Sequence, residues 1–124
     1  MILFINLEIA GQDTALIGVW KGTSICQVKN SPCHNEIAVY HISKTSKPQI
    51  LSMLMNKLVN NQEEEMGTTD YSYDQLHHTL NSINDRPGAH WEFKIRGDSM
   101  HGTLMYNNSL YRIIQLRRIR DRSQ

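Results

Sequence analysis

The stretch Gly18-Val19-Trp20-Lys21-Gly22 lies in the first predicted strand, which occupies residues 15–28. Its apolar and polar side chains alternate with a period of two, which is the pattern of a strand with one buried face. The same alternation continues along most of the chain, and sustained helical periodicity is rare. The pattern therefore predicts an all-β fold.

Further strands follow from this alternation and from the turn residues between them. The clearest is residues 90–96, where aromatic and aliphatic side chains alternate with polar ones. Residues 49–59 fit a helix face about as well as a strand, but the Asn60-Asn61 pair that follows is typical of a hairpin turn and favours a strand. The other predicted strands are residues 36–44, 62–73, 75–83, 99–106 and 110–119.

Short turns between consecutive strands predict an eight-stranded antiparallel up-and-down meander. Closing this meander into a barrel removes the exposed edges that an open sheet would have to protect. Gly22, Gly67 and Gly102 lie inside predicted strands. Glycines are expected there if the barrel bends or its backbones approach closely, and simple tolerance of the glycine is the alternative.

The chain resembles the lipocalin or calycin group in its early Gly-x-Trp motif, its eight-strand meander and the arginines at the end of its last strand. The resemblance implies structural roles for Gly18 and Trp20, with the tryptophan packed at the closed end of the barrel beneath a basic side chain. Arg117 or Arg118 is the matching residue, because the first and last strands of such a meander pair antiparallel. The chain is shorter than typical lipocalins and lacks a convincing final helix, which favours a compact bacterial lipocalin-like domain.

The resemblance also implies that a small hydrophobic molecule binds inside the barrel. An eight-stranded barrel has room for one small ligand or for side chains alone, so a filled barrel acting through its surface as a protein inhibitor or interaction module is the alternative. The candidate ligand-binding residues are Trp20, Val39, His41, Met53, Met55, His78, Trp91, Phe93, Met100, Leu104 and Arg112, and the remaining candidate wall residues are Met66, Leu76, Leu80 and Ile95.

Arg112 shares its strand face with the apolar residues Ile114 and Leu116, so it points inward if that face does. A buried arginine requires a partner. The partner would be Glu64, Glu92 or a ligand carboxylate, the last resembling the way fatty-acid-binding barrels hold their ligands. The opposite face of the strand is nearly as apolar, so both orientations stay open.

None of the six histidines has the neighbouring acid, nucleophile or ligand spacing that assigns a catalytic or metal-binding role. We therefore predict a non-enzymatic protein with no cofactor, no metal site and no catalytic residue. His41 and His78 share predicted strand faces with apolar residues and are the histidines most expected to point inward. A weaker hypothesis, an isomerase or cyclase of the calycin type, depends on one of them lying in a polar cavity.

Cys26 and Cys33 fall opposite each other if Lys29-Asn30 forms the tip of a hairpin. A disulfide is then feasible if the Cα atoms come within about 7 Å, and it would indicate a secreted or periplasmic location. Two reduced thiols are the alternative. A metal site that includes His34 would lack the fourth ligand and the paired spacings of structural zinc sites.

The charge and hydropathy of the chain exclude some classes of partner. Thirteen basic and twelve acidic residues give a net charge of +1, and the chain lacks the interleaved basic and aromatic residues of a nucleic-acid-binding surface. No apolar run reaches the roughly 18 residues that a transmembrane helix needs. A small hydrophobic ligand or a protein is the expected partner, and the oligomeric state stays open.

We expect one domain over residues 1–124, with the barrel at about 15–120 and an N-terminal extension at 1–12. The apolar residues near the start follow no basic residue and are interrupted by Asn6, so they do not make a complete signal peptide. The compartment and the status of Met1 as the native start stay open.

Overall fold

Alternating side chains and tight turns close the chain into a barrel. The computed structural model describes residues 15–83 and 85–120. Their strands are β1 (Gly18–Cys26), β2 (Glu36–Lys44), β3 (Ile50–Val59), β4 (Gln62–Asp74), β5 (Thr79–Ile83), β6 (Ala89–Arg96), β7 (Ser99–Tyr106) and β8 (Ser109–Ile119). Each strand pairs antiparallel with the next, and β8 returns to pair with β1. The predicted all-β, eight-stranded antiparallel up-and-down barrel is confirmed, and the proposed N-terminal extension lies outside the described residues.

Asparagine pairs form two of the hairpin turns. Asn60 and Asn61 join β3 to β4 with φ values of 53° and 66°, and Asn107 and Asn108 join β7 to β8 with φ values of 51° and 67°. Positive φ at both central residues matches the right-handed twist of the flanking strands, and asparagine tolerates it well. The ambiguous stretch before Asn60 is therefore a strand, β3.

β5 is shorter than predicted because a turn occupies residues 75–78. The Asp74 carboxylate accepts a hydrogen bond from the backbone N–H of His77 at 3.2 Å, and its other oxygen lies 2.7 Å from the His77 Nδ1. Such local side-chain bonds compete with the sheet ladder. His78 consequently lies in the turn at φ 57°, and Leu76 is 81% exposed. The predictions that His78 and Leu76 face the interior are wrong.

Two glycines allow neighbouring groups to approach closely. At Gly22 a Cβ atom would lie 1.7 Å from the carbonyl oxygen of Gln115 in β8, and at Gly102 it would lie 2.3 Å from the ring of Phe93. Gly102 is directly opposite Phe93 in the pairing of β6 with β7. A larger side chain at either position would clash, so these strands depend on glycine for their spacing.

The barrel is filled at the end where β1 begins. Trp20 is fully buried and donates its indole N–H to the carbonyl oxygen of Leu16 at 3.0 Å. Arg118 is the partner of Trp20 in the pairing of β1 with β8, and its guanidinium carbon lies 5.1 Å from the indole centroid. The same guanidinium donates to the carbonyl oxygen of Ile17 at 2.8 Å.

Of the two candidate arginines, Arg118 is therefore the one that covers Trp20. Arg117 is exposed and donates to the Ser99 hydroxyl at 3.1 Å, because neighbouring residues of a strand point to opposite faces. The core cluster around the tryptophan consists of Leu16, Trp20, Ala38, Tyr40, Ile42, Leu51, Met53, Met55, Tyr71, Leu80, Phe93, Met100, Ile114 and Leu116, with Ile95 packed against it.

β2 faces the core with the opposite set of side chains from the one predicted. Ala38, Tyr40 and Ile42 belong to the core cluster, so Val39 and His41 between them point to the outer face. Val39 is 4% exposed there, which shows that burial and an inward direction are different properties. The predictions that Val39 and His41 face a ligand are wrong, because reading a strand out of phase by one residue exchanges its two faces.

Candidate functional site

A cavity of about 930 Å³, which we call the cup, lies at the end of the barrel away from Trp20. Its lining includes Arg112, which pairs with Cys26 at the end of β1. Met66 and Tyr106 at the rim are 53% and 41% exposed, so the cup opens to solvent. The lining residues are Glu36, Tyr40, Met55, Asn56, Met66, Gly67, Thr68, Thr69, Asp70, Ile83, Asp85, Arg86, Ala89, Trp91, Leu104, Tyr106, Tyr111 and Arg112.

Aromatic side chains form the floor of the cup. The fully buried Phe93 stacks on Trp91 with ring centroids 6.3 Å apart and an interplanar angle of 5°. It meets Tyr40 and Tyr71 edge-on at 6.4 Å and 5.6 Å. Trp91 and Tyr40 line the cup whereas Phe93 does not, so this aromatic group separates the cup from the filled end of the barrel.

The candidate ligand-binding residues divide into three groups. Met55, Trp91, Leu104 and Arg112 line the cup. Trp20, Met53, Phe93 and Met100 are buried in the core cluster and do not line it. Val39 and His41 point outward and His78 lies in an exposed turn, as described above. The structure thus brings together four of the candidates, one each from β3, β6, β7 and β8.

Arg112 points into the barrel and is held by two partners. Its Nη1 donates to the Ser24 hydroxyl at 3.0 Å, and its Nη2 lies 3.4 Å from the Glu36 carboxylate. The side chains of Arg112 and Glu36 are 12% and 17% exposed. The prediction that Glu64 or Glu92 would pair with Arg112 is wrong, because β8 and β2 both flank β1 and their inward side chains meet across it.

Tyr40 stands beside this ion pair at the floor of the cup. Burial, together with the nearby Glu36 carboxylate, raises the pKa of Tyr40 far above its ordinary value of 10.0, although the charge of Arg112 and a hydrogen bond with Ser24 act in the other direction. The phenol is therefore neutral at physiological pH. Ser24, Glu36, Tyr40 and Arg112 make a compact polar group, which we call the polar cluster.

A second polar group anchors the opposite wall. The Ser82 hydroxyl donates to Asp85 at 2.5 Å and accepts the backbone N–H of Trp91 at 2.9 Å. His90 Nδ1 lies 3.4 Å from the same hydroxyl. The residue types are those of a serine hydrolase, but here the serine hydroxyl donates its hydrogen bond to the aspartate rather than to the histidine. The arrangement holds Trp91 in the wall of the cup.

A third polar group joins β2, β3 and β4 near the rim. Glu63 accepts a hydrogen bond from the Asn56 amide at 2.8 Å, and its carboxylate lies 2.7 Å from His41 Nε2. These two contacts lower the pKa of Glu63, with the bond from Asn56 having the larger effect. Asn56 stands where the register of β3 with β4 shifts, and its Oδ1 has no partner within the described part of the chain.

A disulfide joins Cys26 to Cys33, with Cα atoms 6.0 Å apart. It closes the loop between β1 and β2 at the end of the barrel that carries the cup. Asn35 also holds this loop, because its side-chain oxygen accepts the backbone N–H of Cys26 at 2.8 Å. The disulfide therefore stabilises the backbone between Ser24 and Glu36, the two residues that hold Arg112.

Two kinds of feature are absent from the described residues. No group of three or more histidine, cysteine, aspartate or glutamate side chains within residues 15–83 and 85–120 is placed to hold a metal ion. The same ranges contain no helix long and apolar enough to cross a membrane.

Sequence reasoning missed most of the polar cluster. Tyr40 could have been found from the alternation of β2, because it shares a face with Ala38 and Ile42. Glu36 gave no such signal, since it is the first residue of β2 and lies 76 positions from Arg112 along the chain. Ser24 gave no signal either, because its importance depends on the register of β1 with β8.

Comparison with known proteins assigns no family to this chain. No protein-family model matches the sequence, and no curated protein is significantly similar to it.

Proposed function

We propose that this protein binds a small hydrophobic ligand in the cup and does no chemistry on it. The observation that carries the proposal is the cavity of about 930 Å³ above a filled core. Binding sites for small molecules are typically concave, of roughly 300–1,000 Å³, and mix apolar walls with a few placed polar groups. Met55, Trp91 and Leu104 would contact the apolar part of the ligand, and the polar cluster would orient it.

We also propose that the barrel is lipocalin-like. The support is the placement of Trp20 at the filled end beneath Arg118, with Gly18 packed so closely that a Cβ there would lie 2.9 Å from the Arg118 guanidinium. The cup at the other end is where a barrel of this kind would hold its ligand.

The alternatives have weaker support. An interaction module acting through its surface would need no cavity, although the exposed Met66, Tyr106 and Leu110 would suit such a partner. The isomerase or cyclase hypothesis depended on His41 or His78 as the acid or base. Neither residue lines the cup.

Binding of N-phenyl-1-naphthylamine, a neutral dye that fluoresces in apolar surroundings, tests the proposal. Ala89 lines the cup on the same face of β6 as Trp91 and Phe93, so Ala89→Trp places an indole in the cavity. We expect this variant to weaken dye binding by at least about tenfold, or about 1.4 kcal/mol. The matched control is His101→Trp, an exposed position of β7 between the buried Met100 and Gly102.

Dye binding by these two variants shows whether the dye binds in the cup or on the surface. Dye binding that His101→Trp preserves and Ala89→Trp abolishes supports the cup. Equal binding by both variants, or no binding by the wild-type protein, contradicts it.

We propose that the protein works in an oxidising compartment, secreted or periplasmic. The disulfide between Cys26 and Cys33 supports this, because such bonds persist mainly outside the cytosol. Rapid alkylation of the protein in its native cells tests it. Alkylation of both cysteines before reduction would contradict the proposal.

A further inference from the structure

The charges of Arg112 and Glu36 compensate each other in the lining of the cup. Both side chains are mostly buried, and both line the cavity. Arg112 Nη1 is engaged by Ser24, and Nη2 faces the carboxylate of Glu36 at 3.4 Å. The pair therefore presents a hydrogen-bond donor and an acceptor side by side, with no net charge.

A ligand carboxylate would be disfavoured at this place. To reach Arg112 it would have to lie beside Glu36, and two carboxylates that share one buried site repel each other strongly. Displacing Glu36 from Arg112 would leave a buried carboxylate without its partner. The arrangement differs from a pocket in which an unpaired arginine awaits an acid.

A neutral group that carries both an acceptor and a donor fits better. The carbonyl oxygen of a carboxamide accepts an N–H of Arg112 or the neutral hydroxyl of Tyr40, and its N–H donates to Glu36. Trp91 and Leu104 contact the apolar remainder of the molecule. We propose that the cup selects small apolar molecules with a neutral, amide-type head group over the corresponding carboxylates, an inference that rests on the ligand-binding function proposed above.

Competition between two matched probes tests this selectivity. Decanamide and decanoate have the same chain and differ only in the head group, and each is titrated against bound N-phenyl-1-naphthylamine at neutral pH and below its aggregation limit. We expect decanamide to displace the dye at a concentration at least about tenfold lower than decanoate does, which corresponds to about 1.4 kcal/mol.

The variant Glu36→Gln tests whether the ion pair between Arg112 and Glu36 causes the selectivity. The substitution removes the negative charge and leaves Arg112 uncompensated, so the preference should shift towards decanoate by at least about tenfold. The matched control is Glu92→Gln on β6, which lies between the inward Trp91 and Phe93 and therefore points outward. The control should keep the wild-type preference.

Each outcome has a distinct meaning. Wild-type protein that binds decanoate as well as decanamide overturns the inference without any variant, as does an unchanged preference in folded Glu36→Gln protein. If neither probe displaces the dye, the amide inference fails while the cup remains a binding site, because its dye binding is established by Ala89→Trp. Failure of the dye itself to bind in the cup would be a failure of the proposed function.

Discussion

The guanidinium of Arg118 lies over the indole of Trp20, 5.1 Å from the ring centroid, although the two residues are 98 positions apart in the chain. The first and last strands are thus joined by a side-chain contact as well as by their backbone ladder. Arg118 is 12% exposed and also bonds to the Ile17 carbonyl oxygen. Arg118 therefore contributes both to the closure of the barrel and to the packing of its core.

Replacing Arg118 with alanine should lower the free energy of unfolding by about 2–3 kcal/mol, because a buried cation–π contact and a charged hydrogen bond are both lost. Arg117→Ala removes the neighbouring cation from the outer face, and it should change stability by less than about 0.5 kcal/mol. Urea unfolding followed by tryptophan fluorescence measures both variants. Equal losses would show that Arg118 acts only through net charge.

Gly102→Ala should destabilise the barrel by about 1–3 kcal/mol, because the new methyl group overlaps the ring of Phe93. Thermal unfolding of the single variant, of Phe93→Leu and of the double variant gives the coupling between the two sites. We expect the double variant to be more stable than the sum of the single losses predicts. Strict additivity would contradict a steric conflict between these two residues.

Reducing the Cys26–Cys33 disulfide should lower stability by about 2 kcal/mol, since the bond closes only a short loop. Unfolding curves of Cys26→Ser/Cys33→Ser protein with and without reductant measure this. The wild-type protein should approach the variant when reductant is added, and the variant itself should not respond. A wild-type curve indifferent to reductant would mean that the bond is absent in solution.

The hydrogen bonds to Glu63 should make the free energy of unfolding depend on pH in the acid range. The pKa of Glu63 is lowered from its ordinary 4.5. The stabilisation that these hydrogen bonds give the folded state is therefore complete above the unfolded-state pKa, and it is lost as the pH falls through the folded-state pKa. Wild-type protein should therefore exceed Glu63→Gln in stability at neutral pH, with the difference closing below about pH 4.5. Because Glu63 is 40% exposed, we expect less than about 1 kcal/mol.

Glu65→Gln is the control for that pH dependence, since Glu65 is exposed on the same strand. Its unfolding free energy should follow the wild-type value across the acid range. A difference between wild type and Glu63→Gln that persists unchanged to pH about 2 would show that the carboxylate charge is irrelevant.

Local patterns predicted the barrel well because they act over short distances. The Asn60-Asn61 pair determined that residues 49–59 form a strand, and antiparallel closure placed an arginine of β8 beside Trp20. β2 shows the limit of this reasoning. Ile37 and Val39 on its outer face are as apolar as Ala38, Tyr40 and Ile42 on its inner face, so alternation alone cannot determine which face is inside.

The candidate site was harder to predict because it depends on register between distant strands. Arg112 was recognised as a group in need of a partner, yet Glu36 could be identified only when β2, β1 and β8 were aligned. The hydrogen bonds between Asp74 and His77 also begin a turn where the alternation predicted a strand. Both errors concern contacts that a single alternating pattern does not encode.

The aromatic floor around Phe93 has a consequence for protein engineering. Trp20 and the other buried residues beneath it form the packed core cluster, whereas many of the residues that line the cup do not belong to that cluster. Libraries that vary Leu104, Ala89 and Thr69, which line the cup outside the core cluster, would therefore change the cavity while the core keeps its native composition. The barrel is suited to serve as a scaffold for receptors selected in the laboratory.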